Sequence, residues 1–276
     1  MTEKVSNNEI TDISTEFNKL SIQVSLNGLS FCILDTVGHT VISSDRIVFE
    51  KERTPYGLQK GLVALFKKHK IEQQRFSEII VVHRNKLFSL VPKSLFDENE
   101  MPNYLKFNTK ILANDHLAYD EVENHDMITV YVPFVNVNNY IYELFGEFTY
   151  KHSGTVMVES LLTGQNIPKD PTCYVHVADR QMEVTVISQK KLLLYNSFDF
   201  ITKEDFIYYL LFTLEQLELD TETTKLKLFG AIEEEDAIYK ICYEYVKDIS
   251  IMVPSISSYP MDLEKDAIDF TVLKTL

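Results

Sequence analysis

Seven histidines, three cysteines and a surplus of carboxylates are the side chains here with chemistry to offer, and their spacing decides what they can do. His39, His69, His83, His116, His125, His152 and His176 include no pair at the short helical spacing of a zinc site, and none follows a Cys at ligand distance. Asp115-His116 and His125-Asp126, with Asp120, Glu121 and Glu123 between them, could surround a cation. Hard-ion loops need regularly spaced oxygens and a Gly at the bend; this stretch lacks that pattern, so it reads as a solvated acidic loop. Acyl-transfer chemistry has no Gly-x-Ser-x-Gly turn to stand on. Gly154 and Gly164 are too far apart for a phosphate cradle. Cys32, Cys173 and Cys242 each fall in an apolar periodic segment, the setting of buried, inert thiols in a reducing compartment.

Bulk properties narrow the classes further. A net charge of −14 disfavours a nucleic-acid groove, which needs clustered Lys and Arg to displace counterions. Lys67, Lys68 and Lys70 end a helical pattern, where they suit the negative pole, and Lys190-Lys191 flank a turn. With 45% hydrophobic and 12% aromatic residues, the 276-residue chain can bury one large core or two ordinary ones. Met1 to Glu16 is polar without the apolar run of a leader, and Ile207 to Leu214 is far short of a membrane span. A cytoplasmic protein without a membrane span is expected.

The elements that would position any site are legible. Residues 1–17 read as a flexible arm. Leu20, Ile22, Val24 and Leu26 alternate with polar residues, Asn27-Gly28 follows, and Leu29, Phe31, Ile33 and Leu34 resume the strand pattern. Asn-Gly predicts a tight hairpin turn with positive φ. Val41 to Phe49 makes a third strand, Thr54-Pro55 opens a helix, and Leu58, Leu62, Leu65 and Phe66 line one face of it. Ile79 to Val82 reads as a strand buried on both sides. From Tyr174 the same order begins again. A hairpin turns at Asp179-Arg180, a third strand covers Leu192 to Tyr195, and a helix is capped by Thr202 with Asp205. A strand at Leu226 to Phe229, a helix carrying Ile238, Ile241, Cys242 and Tyr245, and a strand at Ile249 to Val253 complete the copy.

Matched elements keep an offset of about 146 to 153 residues through the first four strands and first helix, then drop to about 95. The later match sets a helix with Tyr140, Ile141, Leu144 and Phe145, and a strand at Thr155 to Val158, against their counterparts in the second copy. The difference of about 50 residues marks an insertion in the first half, near residues 85–136. It holds its own strands (Leu87 to Val91, Ile128 to Val132) and a short helix around Glu98 to Phe107. A first lobe at 18–165 and a second at 166–276 are expected, each a βββαβαβ unit. Tyr140, Tyr142, Phe145, Phe148 and Tyr150 exceed one helical face, and core packing is the expected role of most; Tyr208 and Tyr209 raise the same question in the second lobe.

This α/β pattern resembles the duplicated ribonuclease-H-like scaffold of the actin-like ATPases. More closely, LSIQVSLNGLSFCILD, the stretch from Phe88 to Phe96 with the following NYLKFN, and MITVYVPFVNVNNYIYELFG resemble an uncharacterised bacterial family of unknown function with a degenerate actin-like ATPase fold. The likeness runs from about Asn18 to Val253. What it implies is a nucleotide site between lobes, with an Asp-x-Gly-type turn in each hairpin and two adjacent glycines after the fourth strand of the second half. There, amides approach phosphate without a Cβ in the way and a carboxylate holds Mg2+ through water.

Against that pattern the chain is incomplete. Ser25-Leu26-Asn27-Gly28 keeps the Gly and lacks the carboxylate; Ala178-Asp179-Arg180-Gln181 keeps the carboxylate and lacks the Gly; Gly230-Ala231 keeps one Gly of two. The leading expectation is therefore a non-catalytic pseudo-ATPase without a cofactor, whose partner is another protein. The alternative is a weak nucleotide-binding switch or kinase-like enzyme taking ATP with Mg2+ through Asn27, Gly28, Asp179 and Gly230. A filament-forming relative of actin is a third.

Overall fold

The alternating run at the start of the first copy forms β1 (Asn18–Ser25), paired antiparallel with β2 (Gly28–Asp35), which pairs with β3 (Thr40–Val48). The computed structural model describes residues 17–107, 109–112, 114–163, 169–178, 180–253 and 268–276. The expected arm at 1–17 lies outside these residues except for its last. After β3, Thr54 Oγ1 accepts the Gly57 amide at 3.2 Å and Pro55 opens α1 (Pro55–His69). Lys70 ends that helix in the left-handed region, and Leu58, Leu62, Leu65 and Phe66 are buried as their spacing demands. β4 (Glu78–His83) lies parallel to β1.

Three further strands follow: β5 (Phe88–Pro92), β6 (Ala118–Glu121) and β7 (Met127–Tyr131), with α2 (Met101–Leu105) between the first two. They form a separate sheet of order β5-β7-β6 over a core of Val91, Leu105, Ile128, Val130 and Val132. Then come α3 (Val135–Phe145), β8 (Thr149–His152) and α4 (Ser153–Leu162). The first five-stranded sheet has the order β3-β2-β1-β4-β8. The second copy supplies β9 (Thr172–Ala178), β10 (Gln181–Ser188), β11 (Lys191–Asp199), α5 (Lys203–Gln216), β12 (Lys225–Gly230), α6 (Ala237–Tyr245) and β13 (Asp248–Ile251). Its sheet runs β11-β10-β9-β12-β13, the same order position for position, and α7 (Phe270–Lys274) ends the chain.

The duplication extends to single hydrogen bonds. A β-bulge falls between Ile33 and Leu34 in one copy and between Val186 and Ile187 in the other. Phe49 donates its amide to the Asn27 carbonyl at 2.8 Å, and Phe200 donates to Arg180 at 3.1 Å. Arg84 bonds Val24 at 2.9 Å as Ala231 bonds Val177 at 2.8 Å.

One expected strand is not a strand. Thr155 to Val158 lies inside α4, and the fifth strand of the first sheet is β8, which ends three residues earlier. Short apolar runs suit a buried helix as well as a strand, and here every residue from His152 to Val158 is buried. The β-branched residues lower helix propensity by only a few tenths of a kcal/mol, which full burial outweighs (roughly).

Two compact units result, and they differ from the lobes expected from the sequence. One holds β1 to β4, α1, α3, β8 through Lys151, and α7; the other holds β5 to β7, α2, α4, β9 to β13, α5 and α6. The sequence expectation left α4 and the insertion with the first half and α7 with the second. The physical reason is that β1 and β9 are buried on both faces. In the first unit, Leu20, Ile22 and Val24 face a core with α1 and α3, while Cys32 on the other face packs with Ile268 and Val272. In the second, Cys173, Val175 and Val177 pack with Phe206, Leu210 and Cys242, and α4 lies against β11 on the other face.

Candidate functional site

The first turn is built differently from its sequence signal. Ser25 pairs with Gly28, so the two loop residues are Leu26 and Asn27, and neither Asn27 nor Gly28 has positive φ. Gly28 is required for a different reason: a Cβ there would sit 2.6 Å from the Ile47 carbonyl oxygen on β3. Its amide donates to Ser25 Oγ at 3.0 Å, and the hydroxyl donates back to the Gly28 carbonyl at 3.1 Å. The carbonyls of Leu26 and Asn27 accept from Arg53 and Phe49, both at 2.8 Å. This turn is closed by its own serine and by the segment leading into α1.

Asp179 lies outside the described residues. Beside it, the Arg180 carbonyl is held by Phe200, as Asn27 is by Phe49. Gly230, in the second unit, does adopt positive φ (+92°), and a Cβ would meet the Val177 carbonyl oxygen at 2.5 Å and the His176 ring at 2.8 Å. The close approach of β12 to β9 thus demands glycine here. The neighbouring Ala231 amide is already bonded to that same Val177 carbonyl.

A second constellation lies in the second unit, on the β9–β10 face turned away from α5 and α6. Glu183 is 2% exposed and sits directly across the strands from His176. Its Oε1 accepts from Tyr195 Oη at 2.6 Å and from Ser153 Oγ at 2.9 Å, while Oε2 lies 3.0 Å from His176 Nδ1. Nearby, Asp120 accepts from Tyr131 Oη (3.0 Å), the His152 amide (2.7 Å) and Thr155 Oγ1 (2.8 Å). The His152 Nδ1 accepts the Gly154 amide at 3.0 Å, which fixes its proton on Nε2. Gly154 has no room for a side chain, since a Cβ would lie 2.6 Å from the Tyr195 ring.

Serine, histidine and carboxylate are all present in this cluster, in the wrong order for nucleophilic catalysis. A nucleophile needs the base beside it and the acid behind the base. Here the carboxylate sits between, taking the serine proton donor on one oxygen and the histidine on the other. The arrangement satisfies buried polar groups and pins the start of α4. Asp120 is accordingly a bonded strand residue, not part of a solvated loop. The signal for Glu183 and His176 was available: a two-residue loop at Asp179-Arg180 sets 178 against 181 and therefore 176 against 183.

With both turns and both sheets in view, the duplicated βββαβαβ plan fixes the comparison with known proteins. The chain belongs to the family described as protein of unknown function (DUF3822). That family's model matches residues 7–249. Among solved structures, the DUF3822 chain is similar to a protein from Bacteroides thetaiotaomicron described as having an actin-like ATPase fold and unknown function. The TM-score is 0.78 at 21% identity, over 96% of this chain and 98% of that one. It is also similar to a chain of the PilM-PilN type IV pilus biogenesis complex, with TM-score 0.52, 12% identity, and coverage of 92% and 96%. No curated protein matches. The fold is the actin-like ATPase fold.

Other reactive groups of this family member are quenched by burial. The Cys32 and Cys242 thiols are pushed up to about 12, and Cys173 is driven higher still by burial and then by Cys242. Among the described residues, no group of His, Cys, Asp and Glu is placed to hold a metal. Among them, too, no helix is long and apolar enough to cross a membrane. Of the aromatic band, Tyr140, Phe145, Phe148 and Tyr150 pack on the first core and Tyr142 is exposed. Tyr209 stacks on Phe198 at 4.8 Å, whereas Tyr208 faces solvent.

Proposed function

We propose that this DUF3822 protein is an actin-like module that binds another protein and does not turn over nucleotide. The observation that carries the reading is the occupied first turn. The Gly28 amide is taken by Ser25 Oγ, and Ser25-Leu26-Asn27-Gly28 offers no carboxylate for Mg2+. A phosphate needs such an amide free and a metal ligand close by. The similarity to a chain within the PilM-PilN complex supports a binding role, because there the same fold occurs in a protein assembly. Exposed Tyr142, Tyr208 and Tyr243 give the surface the aromatic character that protein contacts favour. Inert thiols and acidic charge fit a cytoplasmic setting without nucleic acid.

Isothermal titration with ATP and Mg2+ tests this: no binding heat is expected, and a micromolar dissociation constant rejects it. A second reading rests on Gly230, at positive φ where β12 ends, which keeps one of the two adjacent glycines that the actin-like resemblance implies for packing an adenosine. On that reading the chain is a weak nucleotide-binding switch, with Asn27, Gly28, Asp179 and Gly230 as its contacts. Asp179→Ala then abolishes Mg2+-dependent binding, and unchanged binding discards it.

A further inference from the structure

The duplicated helix carries opposite charge in its two copies. From Lys51 to Lys70, α1 and its approach hold six basic side chains and one acidic. In register from the two N-caps, Thr54 and Thr202, the matching stretch from Asp199 to Glu218 holds five acidic and one basic. Helix dipoles explain part of this: Lys67 and Lys68 close α1 and Glu204 and Asp205 open α5, each at the pole of opposite sign. They do not explain Lys60 in the middle of α1, nor Glu215 in the last turn of α5, where an acid faces the negative pole. Lys68 is paired with Asp45, but among the described residues Lys60, Lys67 and Glu215 have no ion-pair partner.

Both faces also carry exposed aromatic rings, Tyr56 on α1 and Tyr208 with Phe212 on α5. Tyr208 is 61% exposed and stacks on Phe212, itself 44% exposed, with ring centroids 6.0 Å apart. Glu204, Tyr208 and Phe212 follow at four-residue spacing and Glu215 at three, so all four share one side of α5. On α1 the Lys60 ammonium already rests 4.6 Å from the exposed Tyr56 ring, the contact that Tyr208 and Phe212 could offer a second lysine.

We infer that the outer face of α5 docks the outer face of α1 on a second copy of this chain, Lys60 and Lys67 meeting Glu204 and Glu215 around Tyr208 and Phe212. The contact joins two different faces, so it is heterologous, and each copy keeps one face of each kind for the next. It deepens the binding role proposed above by naming a partner, and it stands on residues distant in sequence from the phosphate turns. A chain of net charge −14 repels its copies generally, and salt relieves that repulsion. This contact instead weakens as salt rises, because opposite charges hold it.

Sedimentation velocity on the full chain, across a concentration series at low and high salt, tests the contact. The mass is expected to rise with concentration at low salt and return to monomer at high salt. Lys60→Glu with Lys67→Glu, and separately Glu204→Lys with Glu215→Lys, are each expected to stay monomeric. An equimolar mixture of the two variants is expected to associate again, because each now carries the sign the other lacks. Circular dichroism confirms that both are folded; if either is not, Lys60→Gln with Lys67→Gln gives the loss without added charge. A wild type that is monomeric throughout overturns the inference, as do variants that associate like wild type or a folded mixture that stays monomeric. Nucleotide titration reads the earlier proposal alone, so the two fail separately.

Discussion

At the scale of single residues, close approach matters more here than catalytic chemistry. Gly230 is held at positive φ with the Val177 carbonyl where a Cβ would stand. Gly230→Ala is therefore expected to destabilise the chain by about 3 kcal/mol in urea denaturation. Asp45 supplies a pH-dependent term. Burial alone would raise its pKa, but hydrogen bonds from Lys68 and His69, both at 2.6 Å, and from the Arg46 amide hold it below the ordinary 3.8. A depressed carboxylate contributes stability that is complete above its unfolded value and lost as pH falls through its folded one. Asp45→Asn should thus cost stability at pH 7, less than about 1 kcal/mol because its partner Lys68 is mostly exposed and the pair is screened by solvent. The wild-type advantage should begin to shrink as pH falls towards 3.8 and be gone once it has passed the lower folded value, which paired acid-unfolding curves would show.

At the scale of elements, the short C-terminal helix depends on a buried charge pair. Arg84 donates two hydrogen bonds to Asp269, at 2.7 and 2.8 Å, with both side chains about 5% exposed. Asp269 also accepts the Thr271 amide at 2.9 Å, so one carboxylate caps α7 and anchors it. Asp269→Ala leaves a buried guanidinium without its carboxylate, and a loss of about 3–5 kcal/mol is expected in urea denaturation. Removing residues 268–276 should expose Cys32, which packs against Ile268 and Val272. A thiol reagent is expected to label Cys32 in the truncated chain under native conditions and leave the intact chain unlabelled.

At the scale of the whole molecule, two sheets of identical order need not share one activity. The copies keep their bulges, their turn-closing bonds and their helix packing, and they diverge in the turns and in surface charge. If nucleotide were a ligand, saturation at 100 times its dissociation constant would stabilise the fold by about 2.7 kcal/mol. No rise in melting temperature with ATP and Mg2+ is expected, and a shift of several degrees would contradict the proposed role.

Local pattern determined much of this protein from its sequence. The alternation in β1 and β2, the Thr54-Pro55 helix entry and the Thr202–Asp205 capping box are each written in residues a few positions apart, so their periods and caps specify the elements. The repeat then specified the duplicated α/β plan. Whether Thr155 to Val158 is strand or helix was decided by burial on every side, which no short window contains. The partner of Arg84 lies 185 residues away, and Glu183 gathers donors from three separate elements. Such contacts depend on which face each strand turns inward and which helix covers it, and only the tertiary structure sets those.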